Sequence, residues 1–250
     1  MPRPDHIVVV VEENRSYSDV IGAPDAPYIN GLAAHGAVFP RSFAVAHPSQ
    51  PNYLALFSGS TQGVTSDSCP QTFTAVSLGQ QLAVAGDSLG GYSEDLPATG
   101  FTGCTHGGYA RKHNPWSDFP AVPAAVNRAL GAFPADYATL PTVSFVIPDL
   151  DHDMHDGSVA EGDAWLRERL NGYAQWAGTH NSLLILTWDE DDGSAGNQIP
   201  TIILGAGVQP GRYNERVTHY RVLRTIEEAL ELPPLGDAAH TAPISDIWAR

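Results

Sequence analysis

Five polar features of this 250-residue chain carry residue types that do chemistry. They are Glu12-Glu13-Asn14, His47-Pro48-Ser49-Gln50-Pro51-Asn52-Tyr53, the run from Asp149 through Asp153 to His155, Asp189-Glu190, and His219. Glu13, Asp189 and Glu190 are hard oxygen donors for a divalent cation, and a serine alkoxide would complete the shell. Serine is a poor nucleophile at its own pKa, and metal coordination is one way to activate it. Asp149, Asp153 and His155 offer two carboxylates and an imidazole, either for a second metal site with His219 or as a source of a general acid. Pro51 suits the first turn of a helix, which puts Ser49 at the N-cap beside free N–H groups that favour a phosphate. Taken singly, each feature has a plainer reading: an ordinary cap, a solvated acidic loop, a helix-start histidine. What favours a site is their common position at the ends of elements.

Those elements follow from hydrophobic pattern. Residues 6–11 form a continuous apolar run, as in a strand buried on both faces. Residues 37–45, 142–147, 182–188 and 200–204 read as further strands, and 89–92 as a short one. Helices are expected over 25–36, 77–86, 119–130, 159–177 and 220–232, most with a capping residue or a closing glycine. Strand and helix alternate throughout. The expectation is one α/β domain with a mostly parallel central sheet sandwiched by helices. Parallel strands put their carboxyl ends on one edge, so the polar groups can converge there. Residues 95–116 lack sustained periodicity, and a loop of that length reads as a lid or site wall.

Composition narrows the partners. The net charge is −15 with a single lysine, Lys112, which argues against nucleic acid or an anionic membrane as a large-surface partner. No stretch approaches the ~18 apolar residues of a membrane-spanning helix. The start runs straight into a strand, so no signal peptide is read there. Cys69 and Cys104 lie in loops. They are either unrelated thiols or, the expectation preferred here, a disulfide pinning residues 66–104 against the site, which points to secretion or the cell envelope.

Several runs together resemble the bacterial phosphoesterase family, which holds secreted acid phosphatases and phospholipases C within the alkaline-phosphatase-like superfamily. They are Val11-Glu12-Glu13-Asn14-Arg15-Ser16-Tyr17, His47 through Tyr53, Tyr109-Ala110-Arg111-Lys112-His113-Asn114-Pro115-Trp116, Asp153-Met154-His155-Asp156 and Thr187-Trp188-Asp189-Glu190. They occur in family order over nearly the whole chain. The resemblance implies an alkaline-phosphatase-like fold and a metal-assisted serine nucleophile, Ser49. It implies metal ligation by Glu13, Asn14, Asp189 and Glu190, and places His113 and His155 near the phosphate, where one or the other is expected to protonate the leaving oxygen. His219 resembles a late histidine of the superfamily's second metal site. One metal or two, and zinc, calcium or magnesium, stay open. Asn14 and Asn52 are expected to donate to phosphate oxygens. The implied activity is hydrolysis of a small phosphorylated substrate through phosphoserine. A phospholipase C or other phosphodiesterase is the alternative, and a non-catalytic metal-binding module a more distant one. A sulfatase is set aside, because Tyr53 stands where that motif requires arginine.

Overall fold

Seven residues, His6–Glu12, make the strand around which the sheet is built. The structure is a computed structural model, and it describes residues 3–249. The chain runs β1 (His6–Glu12), α1 (Tyr17–Val20), α2 (Pro27–His35), β2 (Ala37–Val38), β3 (Ser42–Phe43), α3 (Ser49–Ser58), α4 (Leu78–Ala85) and β4 (Leu89–Ser93). It continues β5 (Thr105–His106), β6 (Tyr109–Ala110), β7 (Asn127–Ala129), β8 (Val143–Ile147), α5 (Val159–Ala177), β9 (Ser182–Trp188), β10 (Thr201–Gly205), β11 (Gly211–Arg212), β12 (Val217–Thr218) and α6 (His219–Ala229). Eight strands form one sheet in the order β11-β2-β10-β9-β1-β8-β4-β7. The five from β9 to β7 are mutually parallel, while β10 runs antiparallel to β9 and to β2.

Alternation along β1 assigns its side chains to two cores. Ile7, Val9 and Val11 pack under α3 and α6 with Leu54, Phe57, Val222 and Ile226. Val8 and Val10 face α2 and α5 with Ile29, Trp165, Leu166, Leu170 and Tyr173. Burial on both faces explains the unbroken valine run. Helix α5 starts at a capping box, in which Ser158 and Glu161 satisfy each other's backbone donors. Helix α2 is capped from a distance: the Asp163 carboxylate on α5 accepts Tyr28 N and Ile29 N at 3.1 and 2.8 Å, and Asp25 stays exposed.

Two expected elements differ. The strand over 37–45 is split, because Pro40 has no N–H to give the ladder. Its two ends join different sheets, β2 to β10 and β3 to β12. The helix over 119–130 is absent. Pro120 and Pro123 confine this stretch to a 3₁₀ turn, Ala124–Val126, followed by β7. In that strand the Asn127 side chain accepts from Trp116 Nε1 at 2.9 Å.

The chain returns over α6 through Glu227, whose carboxylate accepts Leu235 N at 2.8 Å. Burial pushes this acid up to about 7. Its folded value lies above the unfolded one, so its contribution is complete below about pH 4.5 and is lost as pH rises towards 7. Glu227→Gln keeps an acceptor without the charge. Urea unfolding from pH 4.5 to 8 should show the variant gaining roughly 1–3 kcal/mol on the parent across that window.

Candidate active site

The parallel strands β9, β1 and β8 are adjacent, so their carboxyl ends deliver Asp189, Glu13 and the segment holding Asp153 side by side. Backbone bonds fix the arrangement. Asp189 N donates to Glu12 O at 2.9 Å and Glu13 N to Asp153 O at 2.7 Å. Asn14 turns the chain at φ 52°, a left-handed conformation that asparagine tolerates, and its N–H reaches Asp189 Oδ1 at 3.2 Å. Met154 sits at φ 76°, rare for such a side chain, so that Asp153 Oδ1 accepts His155 N at 2.8 Å. That conformation costs on the order of 1–3 kcal/mol and needs firm surroundings. Met154 is fully buried, against Gly162 of α5.

Ser49 is the first residue of α3, not its cap; Pro48 takes the cap position. All ten residues of α3 are buried, which locks the serine in place. The helix ends at Gly59, φ 67°, where a Cβ would strike the Leu235 carbonyl. Ser49 Oγ donates to Glu13 Oε2 at 2.9 Å and lies 3.2 Å from Glu190 Oε1. One helical turn on, Tyr53 OH donates to Glu13 Oε1. His113 Nε2 stands 3.1 Å from that same oxygen, with Nδ1 3.3 Å from Asp153 Oδ2. Its ring stacks on Tyr53 at 5.0 Å. His47 Nδ1 pairs with Glu190 Oε2.

Ser49, Glu13, Asp189, Glu190, Asp153 and His113 are thus brought together. Asn14 meets the cluster through its backbone N–H, and His155 stands at its mouth, with Nε2 3.3 Å from Lys112 Nζ and Nδ1 2.7 Å from Asp156. His219 braces it from behind: its Nε2 bonds to Asp189 O at 2.6 Å. One expectation needs correction, and one residue lies elsewhere than expected. The Asn52 amide is wholly engaged with its own loop, accepting from Val45 N and Ala46 N and donating to Ala46 O and Pro48 O. No donor is left for a ligand. Asp149 caps the turn that follows it, accepting from Asp151 N and His152 N, and gathers apart from Ser49 with Glu94 and His152, a second group whose ligand atoms lie within 4.8 Å of one another and could hold a cation.

Burial dominates the electrostatics. It raises the Glu13, Asp189 and Glu190 carboxyls, holds Asp153 at about 8, and keeps His113 and His219 neutral by depressing each to about 4. Each acid also repels its neighbours. Such a set binds either protons or a cation. Among the described residues Asp189 Oδ2 has no hydrogen-bond partner. Glu13, His113 and Asp153 each offer an atom within 4.8 Å of the others. The donor set suits a divalent metal.

Four contributors went unassigned in the sequence: Glu12, Tyr53, His47 and Lys112. Tyr53 had a readable signal, since i and i+4 share a helix face. Glu12 had none. It faces the α5 side of the sheet fully buried, with both carboxylate oxygens unpartnered among the described residues, and desolvation followed by Asp153 and Glu13 pushes its pKa well up.

An α/β sheet of this topology, with an acid-ringed serine at its carboxyl edge, is an alkaline-phosphatase-like fold. Residues 23–233 match the Phosphoesterase family, and the chain belongs to that family. It is a phosphoric ester hydrolase. It is 55% identical over 251 residues to a phosphatidylinositol-3-phosphatase of Mycobacterium tuberculosis, covering 99% of this chain and 84% of that protein. It is 30% identical to an acid phosphatase of Aspergillus fumigatus over 95% of this chain and 57% of the fungal enzyme. Among solved structures, an alkaline phosphatase superfamily protein from Vibrio parahaemolyticus shares the fold, with a TM-score of 0.66, 12% identity, and coverage of 98% of this chain and 71% of that one.

The role found for Asn52 has a direct check. Asn52→Ala removes four partly buried hydrogen bonds that hold the approach to Ser49. Denaturant unfolding should show a loss of about 2–3 kcal/mol, chiefly from the two backbone N–H groups left unpaired.

Proposed function

We propose that this chain hydrolyses phosphate monoesters through a phosphoserine formed on Ser49. The observation that carries the reading is Ser49 Oγ, held at the start of a fully buried helix between Glu13 and Glu190 at 2.9 and 3.2 Å. Glu13, Asp189, Glu190 and Ser49 would hold a divalent cation, with Asp153 beside them. Such an ion would lower the serine pKa and offset charge on the phosphoryl oxygens. Ser49 Oγ lies within hydrogen-bond reach of both Glu13 Oε2 and Glu190 Oε1, either of which can take its proton. As Ser49 Oγ bonds to phosphorus, the ester oxygen leaves on the opposite side. His155, partly exposed beside Lys112 and Asp156, is the group proposed to give that oxygen a proton. His113, neutral and enclosed beside Glu13 and Asp153, is not assigned the donating role. Water then attacks phosphorus, the Ser49 O–P bond breaks, the serine regains its proton and inorganic phosphate leaves.

The similarity to a phosphatidylinositol-3-phosphatase supports a phosphorylated headgroup as one substrate, since such a phosphate is a monoester. A diester would need a second, apolar pocket beside the phosphate. The only exposed large hydrophobics among the described residues are Val76 and Val84. They line a shallow cleft with Pro233 and Pro234, and Val84 sits where α4 leads into the start of β4, at the sheet edge away from Ser49. No described helix is long and apolar enough to cross a membrane. The Cys69–Cys104 disulfide is formed, which supports secretion or residence in the cell envelope.

Ser49→Ala should fold normally and lose about 10³-fold or more in turnover of p-nitrophenyl phosphate. A variant keeping a tenth of the rate would rule out the nucleophile. Exhaustive chelation of the parent should abolish turnover, and elemental analysis should find a divalent metal in the active protein. Full activity in metal-free protein would reject the cation. Matched monoester and diester substrates should differ by at least ~10-fold in kcat/KM in favour of the monoester, a gap of only ~1.4 kcal/mol. Equal or reversed preference would favour a phosphodiesterase.

A further inference from the structure

Gln50 N–H is one of the amides left free at the start of α3, next to Ser49. It is already in use: it donates to Asp67 Oδ1 at 2.9 Å. The other oxygen, Asp67 Oδ2, takes Lys112 Nζ at 2.9 Å. A single carboxylate therefore bridges the amide beside the nucleophile and the only lysine of the chain. Burial works against the Lys112 charge, but Glu13, Asp67 and Asp189 outweigh it and hold the ammonium protonated. Lys112 Nζ also faces His155 Nε2 at 3.3 Å. The pairing is built, not incidental. Cys69, two residues beyond Asp67, is bonded to Cys104, and the Cys104 carbonyl accepts Arg111 N at 2.9 Å, one residue before Lys112. The disulfide thus ties together the two segments that carry the pair. Asp67 stands in a stretch without helix or strand, and its side chain is 28% exposed, so it has somewhere to go.

To these two donors a carboxylate and a phosphoryl group look alike, each with anionic oxygens on one centre. We propose that Gln50 N–H and Lys112 Nζ form the seat for non-bridging phosphoryl oxygens of substrate and product, and that Asp67 is its resident competitor. The Asp67 carboxylate leaves the seat when the phosphate enters. This rests on the phosphomonoesterase reading above. A tethered competitor acts at high effective concentration, so it weakens every anion that uses the seat. A dianionic monoester has more charge than one carboxylate with which to displace it; a monoanionic diester does not. Asp67 is then a specificity residue: it sets how strongly the site holds phosphate without taking part in bond breaking.

The test uses Asp67→Asn and Asp67→Glu in the full, metal-loaded chain, with Asp67→Ser in reserve should the first fold poorly by near-UV circular dichroism. Inorganic phosphate is the probe, both as competitive inhibitor of p-nitrophenyl phosphate hydrolysis and as titrant in calorimetry on a Ser49→Ala background. Removing the competitor should tighten phosphate and lower KM by about tenfold while kcat stays within about twofold, and Asp67→Glu should remain near the parent. Adding Lys112→Met to Asp67→Asn should cancel the gain. Phosphate binding that is unchanged or weaker in Asp67→Asn overturns the proposal and makes Asp67 merely a support for Lys112. A parent protein that does not turn over the monoester at all would instead overturn the reading of the reaction.

Discussion

Mutual repulsion among buried acids is the constraint on which the rest of this structure turns. Glu12, Glu13, Asp153, Asp189 and Glu190 lie at the ends of three adjacent parallel strands, all of them buried. Burial alone raises the cost of each charge, and every neighbour adds to it. Among side chains, His47, His113 and Lys112 supply the nearby nitrogen atoms, and His113 is held neutral. A chain selected only for stability would not gather five acids at one edge. The surrounding features read as devices that keep them there: a fully buried α3, a left-handed Asn14, a left-handed Met154 packed on Gly162, and His219 bonded to the carbonyl of Asp189.

The fold was legible where one physical signal dominated. The valine run of β1 could only be a strand buried twice, and α5 announces itself by its capping box and its apolar positions. It was illegible where proline broke a pattern that hydrophobicity alone would continue. Pro40 divides what reads as one strand, and Pro120 and Pro123 prevent what reads as a helix. The distant cap on α2 shows a further limit. Asp25 is adjacent in sequence and plausible, yet the carboxylate that satisfies the helix comes from Asp163, 135 positions away from Tyr28.

The site shows the same division. Residue type and strand-end position were enough to select Glu13, Ser49, Asp189, Glu190 and Asp153, because parallel strands leave little choice about which edge they share, whereas His113 came from the family resemblance alone. They were not enough for Asn52 and Asp149. Each has short-range backbone donors within reach, and asparagine and aspartate satisfy such donors readily, so both are spent on loops. Long-range partners were out of reach for a different reason. The contact between Asp67 and Lys112 spans 45 residues and depends on how two irregular segments meet at the disulfide, which no periodicity encodes.

Net charge and local charge act at different ranges here. A protein at −15 repels an anionic substrate at a distance, but a Debye length of ~8 Å at physiological salt screens most of that field. Inside the site screening is weak, and there the acids would repel phosphate more strongly still. Recognition of phosphate therefore needs positive charge placed within contact distance. Only one lysine is present to provide it, and that lysine is already paired with Asp67. A cation among the carboxylates would reverse the sign of the field at Ser49, whereas Lys112 at the rim adds charge that the proposed competition from Asp67 would tune. The two sources thus divide the work. On this reading the buried acids, through a cation, would decide whether an anion can be held beside the serine at all, and the lysine and its tethered carboxylate would decide how tightly.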